Sequence, residues 1–201
     1  MNEKFFDLKK EKQDRMINAS LKIFAQNGYA HASTDDIVKE AGISKGLLFH
    51  YFGSKIGLYS FIYDYSAKFV SLEMTSTVNR SDNDYFSLHL QIINAQCNVM
   101  KGYPYMIAFL NSTKNENVLE AMKEIADKKN IVPDKVEEYF KHANTYLVKP
   151  QLDVGVLTQM INLCEQATLK EAFEQNGDVS EFYTNKMKDY LMFLKTACYQ
   201  E

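Results

Sequence analysis

The stretch "DDIVKEAGISKGLLFHYFGSK", residues 35–55, decides how this 201-residue chain is read. Ile37, Val38 and Ala41 recur at helical spacing, Gly42 interrupts them, and a second short apolar run opens after Ser44. Ser and Thr start helices because their side-chain oxygens accept from N–H groups that the first turn leaves unpaired. Ser33 or Thr34 can start the first of these helices. Asp35 and Asp36 then fall where the helix dipole favours acid. Ser44 can start the second. Two short helices about a turn containing Gly form the helix-turn-helix pattern. Ile37, Val38, Ala41, Ile43 and Leu48 are expected to pack the two helices together.

Working outward, nearly every segment has helical periodicity. Ile17, Leu21, Phe24 and Ala25 form a stripe that Gly28 is expected to end. Before it, Lys4, Lys9, Lys10, Lys12 and Arg15 read as a basic, solvated arm. After Ser54, a long helix carries Leu58, Phe61, Ile62, Tyr65, Phe69 and Leu72 on one face. The polar break at 79–84 is followed by the stripe Phe86, Leu90, Ile93, Cys97 and Met100, which Gly102 stops. Pro104 suits the first turn of the next helix, where a missing N–H is no loss. Val118, Met122 and Ile125 mark another helix, and Pro133 opens one with Val136, Phe140, Ala143 and Leu147 inward. Two long helices, about 152–175 and 180–199, close the chain and divide at Asn176-Gly177. The fold class is all-α. A three-helix helix-turn-helix head over residues 1–53 is expected to join a helical body over residues 54–201.

The composition agrees. Gly 8 and Pro 3 are too few for an all-β fold, and no apolar run reaches membrane-spanning length. The charged N-terminus lacks the apolar segment of a secretory signal, so a cytoplasmic protein is expected. Cys97, Cys164 and Cys198 are widely spaced and unmatched to His, which argues for buried thiols. No metal site and no cofactor are expected. There is no Gly-rich phosphate loop, no H-E-x-x-H and no G-x-S-x-G, so an enzyme is not expected. The net charge of −3 is uneven: residues 1–60 hold nine Lys and Arg against seven Asp and Glu, and the rest of the chain is acidic.

A helix-turn-helix places the N-terminus of its second helix at base edges in the major groove. Ser44, Lys45 and Gly46 occupy that end. Free N–H groups there favour an anion or a base acceptor, Lys45 can reach guanine O6 or N7, and Gly46 lets the backbone come close. His50, Tyr51 and Lys55 lie at the far end, where they can donate to phosphates and fix register. Thr34 can do the same from the start of the first helix.

The run Thr34–Lys55 resembles the DNA-binding signature of the TetR family of bacterial repressors. Its specific parts are Ala41-Gly42-Ile43-Ser44-Lys45-Gly46, then Phe49-His50-Tyr51-Phe52, then Ser54-Lys55. The resemblance covers about residues 10–60. It implies DNA-backbone contacts from Thr34, Ser44, Phe49, His50, Tyr51 and Lys55, and base contacts from Lys45, Gly46 and Leu47. Three positions depart from the family pattern. Leu47 stands where a small polar residue is frequent, Phe49 stands where Tyr is common, and Ile56-Gly57 replaces an acidic, helix-forming pair. Gly57 is expected to loosen the joint between head and body, because Gly weakens a helix.

Two-fold operators need two-fold proteins. Val156, Met160 and Leu163 on one closing helix, and Tyr183, Met187, Tyr190, Leu191 and Leu194 on the other, are the expected homodimer interface. The resemblance implies a double-stranded DNA operator and an inducer held in the body. The density of aromatic and Met side chains suggests that the inducer is small and hydrophobic or aromatic. Tyr65, Phe69, Met100, Tyr105, Phe109, Tyr139, Tyr146 and Met160 are the candidate apolar contacts, with His142 and Cys164 as polar ones. The alternative is a DNA-binding regulator without an inducer, controlled by a protein partner.

Overall fold

A computed structural model describes residues 3–175 and 177–200; Asn176, assigned to the divide between the closing helices, lies outside them. Ten α-helices run through the described residues. They form two compact units, Met1–Phe69 with Tyr103–Ile131 and Val70–Gly102 with Val132–Glu201.

The first unit holds α1 (Lys10–His31), α2 (Thr34–Ala41), α3 (Lys45–Phe52), the first part of α4 (Lys55–Thr77), α6 (Met106–Ser112) and α7 (Leu119–Ile125). Its division therefore differs from a functional boundary after residue 53. α1 packs on both α2 and α6. Phe24 of α1, Tyr59 of α4 and Phe109 of α6 meet edge-on or tilted, with ring centroids 5.1–6.1 Å apart. Gly28 leaves helical geometry at φ 65° and ψ 177°, yet one more turn follows to His31. Gly42 ends α2 in the left-handed region at φ 62°, and the Ile43 N–H bonds back to the Val38 carbonyl at 3.0 Å. That closure strains any residue with a Cβ. The Pro104 turn is not helical: α6 opens at Met106, whose N–H bonds the Tyr103 carbonyl at 3.0 Å.

Two expectations about this unit are corrected. Gly57 does not loosen the joint. A Cβ there would stand 2.2 Å from the Phe52 carbonyl oxygen, so its glycine lets α4 start flush against the end of α3. The N-terminal arm is not simply solvated. Glu3–Phe5 forms a 3-10 turn, and Phe5 is fully buried against the rings of Tyr51, Phe52 and Phe61 at 5.8, 5.2 and 5.0 Å. The Gln13 side-chain amide donates to the Phe6 and Leu8 carbonyls and clasps the segment to α1.

The second unit holds the end of α4, α5 (Tyr85–Gly102), α8 (Ile131–Phe140), α9 (Val154–Glu174) and α10 (Val179–Cys198). α10 packs on both α5 and α9. Phe86, Ile93 and Met100 are buried on α5 as the stripe predicts, but Tyr85, Leu88, His89, Ile92 and Val99 are buried too. A helix buried that widely sits inside its unit. Asp153 and Asp178 cap the two closing helices. Leu72, expected inward on α4, is 70% exposed. α8 ends at Phe140, so Ala143 and Leu147 fall outside it, and Leu147 is exposed.

Candidate nucleic-acid interface

The Ser33 hydroxyl accepts from the Asp35 N–H at 3.1 Å and starts α2; the Ser44 hydroxyl accepts from the Leu47 N–H at 3.2 Å and starts α3. Between the capped ends, Ile37, Ala41 and Leu48 are buried and lock the two helices together. What remains outward is the N-terminal tip of α3. Ser44, Lys45, Gly46 and His50 are exposed, while Thr34, Leu47, Phe49, Tyr51 and Lys55 are half-buried.

Gly46 is informative because the protein gives no reason for it. Its φ is ordinary, and a Cβ there would meet nothing within 4 Å. A glycine inside a helix weakens it by up to ~1 kcal/mol relative to Ala. Its use therefore points to something outside the chain that must approach the backbone closely.

The far end is held differently. The Lys55 ammonium lies 4.5 Å from the centroid of the Tyr29 ring and 3.4 Å from the Ala30 carbonyl. Tyr29 is itself anchored: its N–H donates to Glu116 at 3.1 Å and its hydroxyl to Glu120 at 3.0 Å. Burial, then the Glu120 hydrogen bond, pushes the Tyr29 phenol up to about 12. The tyrosine thus stays a neutral platform for the lysine. His50 meets Tyr51 edge-on at 5.0 Å, and Tyr51 meets Phe5 at 5.8 Å. Between α1 and α2, Lys22 pairs with Glu40 at 2.7 Å, and that hydrogen bond raises the lysine pKa.

At the tip, the Lys45 ammonium lies 2.8 and 3.0 Å from the two carboxylate oxygens of Asp35. From sequence, Asp35 shows only a charge that suits the helix dipole. Phe5 was missed altogether; its one signal is a pair of Phe residues inside an otherwise charged arm.

The ten expected ligand contacts are divided between the two units. Tyr65, Phe69, Tyr105 and Phe109 belong to the first unit, and Met100, Tyr139, His142, Tyr146, Met160 and Cys164 to the second. Phe109 and Met100 are sealed in packed cores, while Tyr146 is 89% exposed and His142 is also on the surface. The Tyr65 and Tyr103 hydroxyls share a hydrogen bond at 2.8 Å, and Tyr103 donates to Asp14 at 2.7 Å. A cleft of about 280 Å³ in the first unit is lined instead by Tyr51, Phe61, Ser60, Asp64, Glu124 and Lys128, among others. In the second unit, Nε2 of His89 and the Tyr139 hydroxyl are buried without a hydrogen-bond partner.

The expected dimer residues also separate. Tyr183, Met187 and Leu191 are buried in their own unit, where α10 meets α5 and α9, and so are core rather than interface. Val156, Met160, Leu163 and Tyr190 are exposed, and Leu194 is half-buried. Met192 and Phe193 join the exposed set and were missed. The reason is geometric. Helical spacing finds an apolar stripe but not the body that covers it.

A capped, braced helix with a bare glycine and a lysine at its leading end has the arrangement of a helix-turn-helix DNA-binding domain. Residues 16–60 match the family "Bacterial regulatory proteins, tetR family". A Bacillus subtilis HTH-type transcriptional regulator, YuxN, is 49% identical over 49 residues, which are 24% of this chain and 17% of that protein. IcaR of Staphylococcus aureus, the HTH-type negative transcriptional regulator of the biofilm operon icaADBC, is 21% identical over 88% of this chain and 93% of its own. A TetR family transcriptional regulator from Chloroflexus aurantiacus shares the fold at a TM-score of 0.65 and 19% identity, covering 99% of this chain and 98% of that one. Residues 16–60 thus match the DNA-binding region of the tetR family, and the fold of nearly the whole chain is shared with a TetR family transcriptional regulator. No helix among the described residues is long and apolar enough to cross a membrane.

Proposed function

We propose that this protein is a homodimeric repressor that grips a palindromic operator through residues 1–53 and is released by a small hydrophobic or aromatic inducer bound in residues 54–201. The observation that carries the DNA reading is Gly46, which no contact within the chain requires, beside exposed Lys45 at the start of α3. Lys45, Gly46 and Leu47 meet bases, and Thr34, Ser44, Phe49, His50, Tyr51 and Lys55 meet the backbone. Repression is supported by IcaR, a negative transcriptional regulator similar over most of both chains. Dimerisation is supported by the exposed apolar stripe Val156, Met160, Leu163, with i, i+4, i+7 spacing on α9.

An inducer is supported by the unpaired Nε2 of His89 and hydroxyl of Tyr139, because buried polar groups normally have partners. A ligand that bound the DNA-incompetent state 100-fold better would weaken operator binding by up to ~2.7 kcal/mol. Control by a protein partner is the second reading, favoured by exposed Leu119 and Met122 on α7. Thermal melts against hydrophobic compounds separate the two, since a ligand that binds only the native state raises its stability.

Selection of duplexes from a random pool, followed by titration of wild type and Gly46→Ala, tests the DNA reading. Two-fold repeated half-sites are expected. Gly46→Ala should melt no lower than wild type and bind the selected duplex more weakly. Unchanged DNA affinity in that variant would sink the assignment of the tip.

A further inference from the structure

We propose that Asp35 is a base-reading, specificity-setting residue that acts as a pair with Lys45; this rests on the DNA-binding reading above. The fold has no need of it. Ser33 already caps α2, and Asp36 already supplies acid to its first turn. The pair is open to solvent, with side chains 49% and 72% exposed for Lys45 and Asp35. Exposed ion pairs contribute little to stability. Yet both carboxylate oxygens lie within 3.0 Å of the ammonium, at the tip where α2 and α3 begin.

A carboxylate there repels phosphates on every sequence. By holding Lys45 it also takes one cation out of the field that grips any duplex. The penalty is lifted on one kind of site. In the major groove an Asp oxygen accepts from cytosine N4, and a Lys ammonium donates to guanine O6 or N7. Side by side, the two groups match a neighbouring cytosine and guanine. Opposite guanine or thymine the carboxylate meets an acceptor or a methyl group and stays unsatisfied, and opposite adenine the N6 donor comes with the repelling N7 acceptor beside it. Discrimination then comes from repulsion of wrong sequences as much as attraction to the right one.

The test uses the full chain with Asp35→Ala, Asp35→Asn, Lys45→Ala and the Asp35→Ala/Lys45→Ala double variant. Each is profiled by selection from a random duplex pool and by titration of a random-sequence duplex across salt concentrations. Asp35→Ala and Asp35→Asn should bind random duplex more tightly. Their salt slope should steepen by about 0.9 as Lys45 is freed. Preference for cytosine at one position should fall about tenfold. In the Lys45→Ala background, Asp35→Ala should still erase that cytosine preference. Profiles that keep the cytosine with Asp35 removed overturn the proposal. So does a uniform loss on all duplexes with a lower melting temperature, which marks a structural role. A wild type that selects no sequence overturns the DNA reading itself, and this inference with it.

Discussion

Glycine 57 and histidine 89 show how much one side chain decides here. A methyl group on Gly57 would stand 2.2 Å from the Phe52 carbonyl oxygen, a contact the backbone can relieve only by shifting the start of α4. Overpacking of this kind costs about 1–3 kcal/mol, more than the ~1 kcal/mol that Ala adds to helix propensity. Gly57→Ala should therefore lower stability in urea melts and weaken binding to all duplexes alike. Its role was illegible in sequence because propensity is local, whereas the close approach joins the end of one helix to the start of another. His89 lies between Tyr85 and Phe140, with centroids 4.8 and 4.5 Å away, and burial pushes its pKa down to about 4. An unfolded chain binds its proton near pH 6.5. Stability from the neutral imidazole is thus complete above that pH and is lost as pH falls toward 4, by on the order of 3 kcal/mol. His89→Phe should flatten the change in denaturant midpoint between pH 7.5 and pH 5; an unaltered slope would assign the acid sensitivity elsewhere.

Among the elements, the helix-turn-helix was the most legible. Ser44, Gly42 and the buried Ile37, Ala41 and Leu48 act over a few residues, and local chemistry is what a sequence displays. The closing helices were found to within a few residues from their apolar stripes and the Asn176-Gly177 divide, and the structure adds Asp153 and Asp178 as their caps. The N-terminal 3-10 turn was not found, because Phe5 gains its order from Tyr51, Phe52 and Phe61, some 46–56 positions away. Burying a Phe this completely implies that Phe5→Ala should destabilise the first unit by about 3–5 kcal/mol. Denaturation followed by circular dichroism will measure it. A loss below about 0.5 kcal/mol, the usual range for surface positions, would return the segment to the status of a solvated tail.

For the whole molecule, the apolar residues left outside matter most. Leu163 is 64% exposed and Phe193 72%, so replacing them should spare the monomer and disturb whatever covers them. Leu163→Glu with Met160→Glu should shift the protein from dimer to monomer in sedimentation velocity, with little change in helicity. Tyr183→Ala, in contrast, should lower stability by about 3–5 kcal/mol through a cavity in its own unit. A double glutamate variant that stays dimeric would place the interface on another face. The ligand contacts were the least legible part, since an aromatic at helical spacing looks the same in a core as in a pocket. Finally, the anchoring of Tyr29 by Glu116 and Glu120 ties the platform beneath Lys55 to residues far downstream. The reading head is therefore not a detachable cassette. A graft ending soon after Lys55 would leave the tyrosine without either carboxylate, and chimaeras with other effector bodies need residues 103–131 carried across with the head.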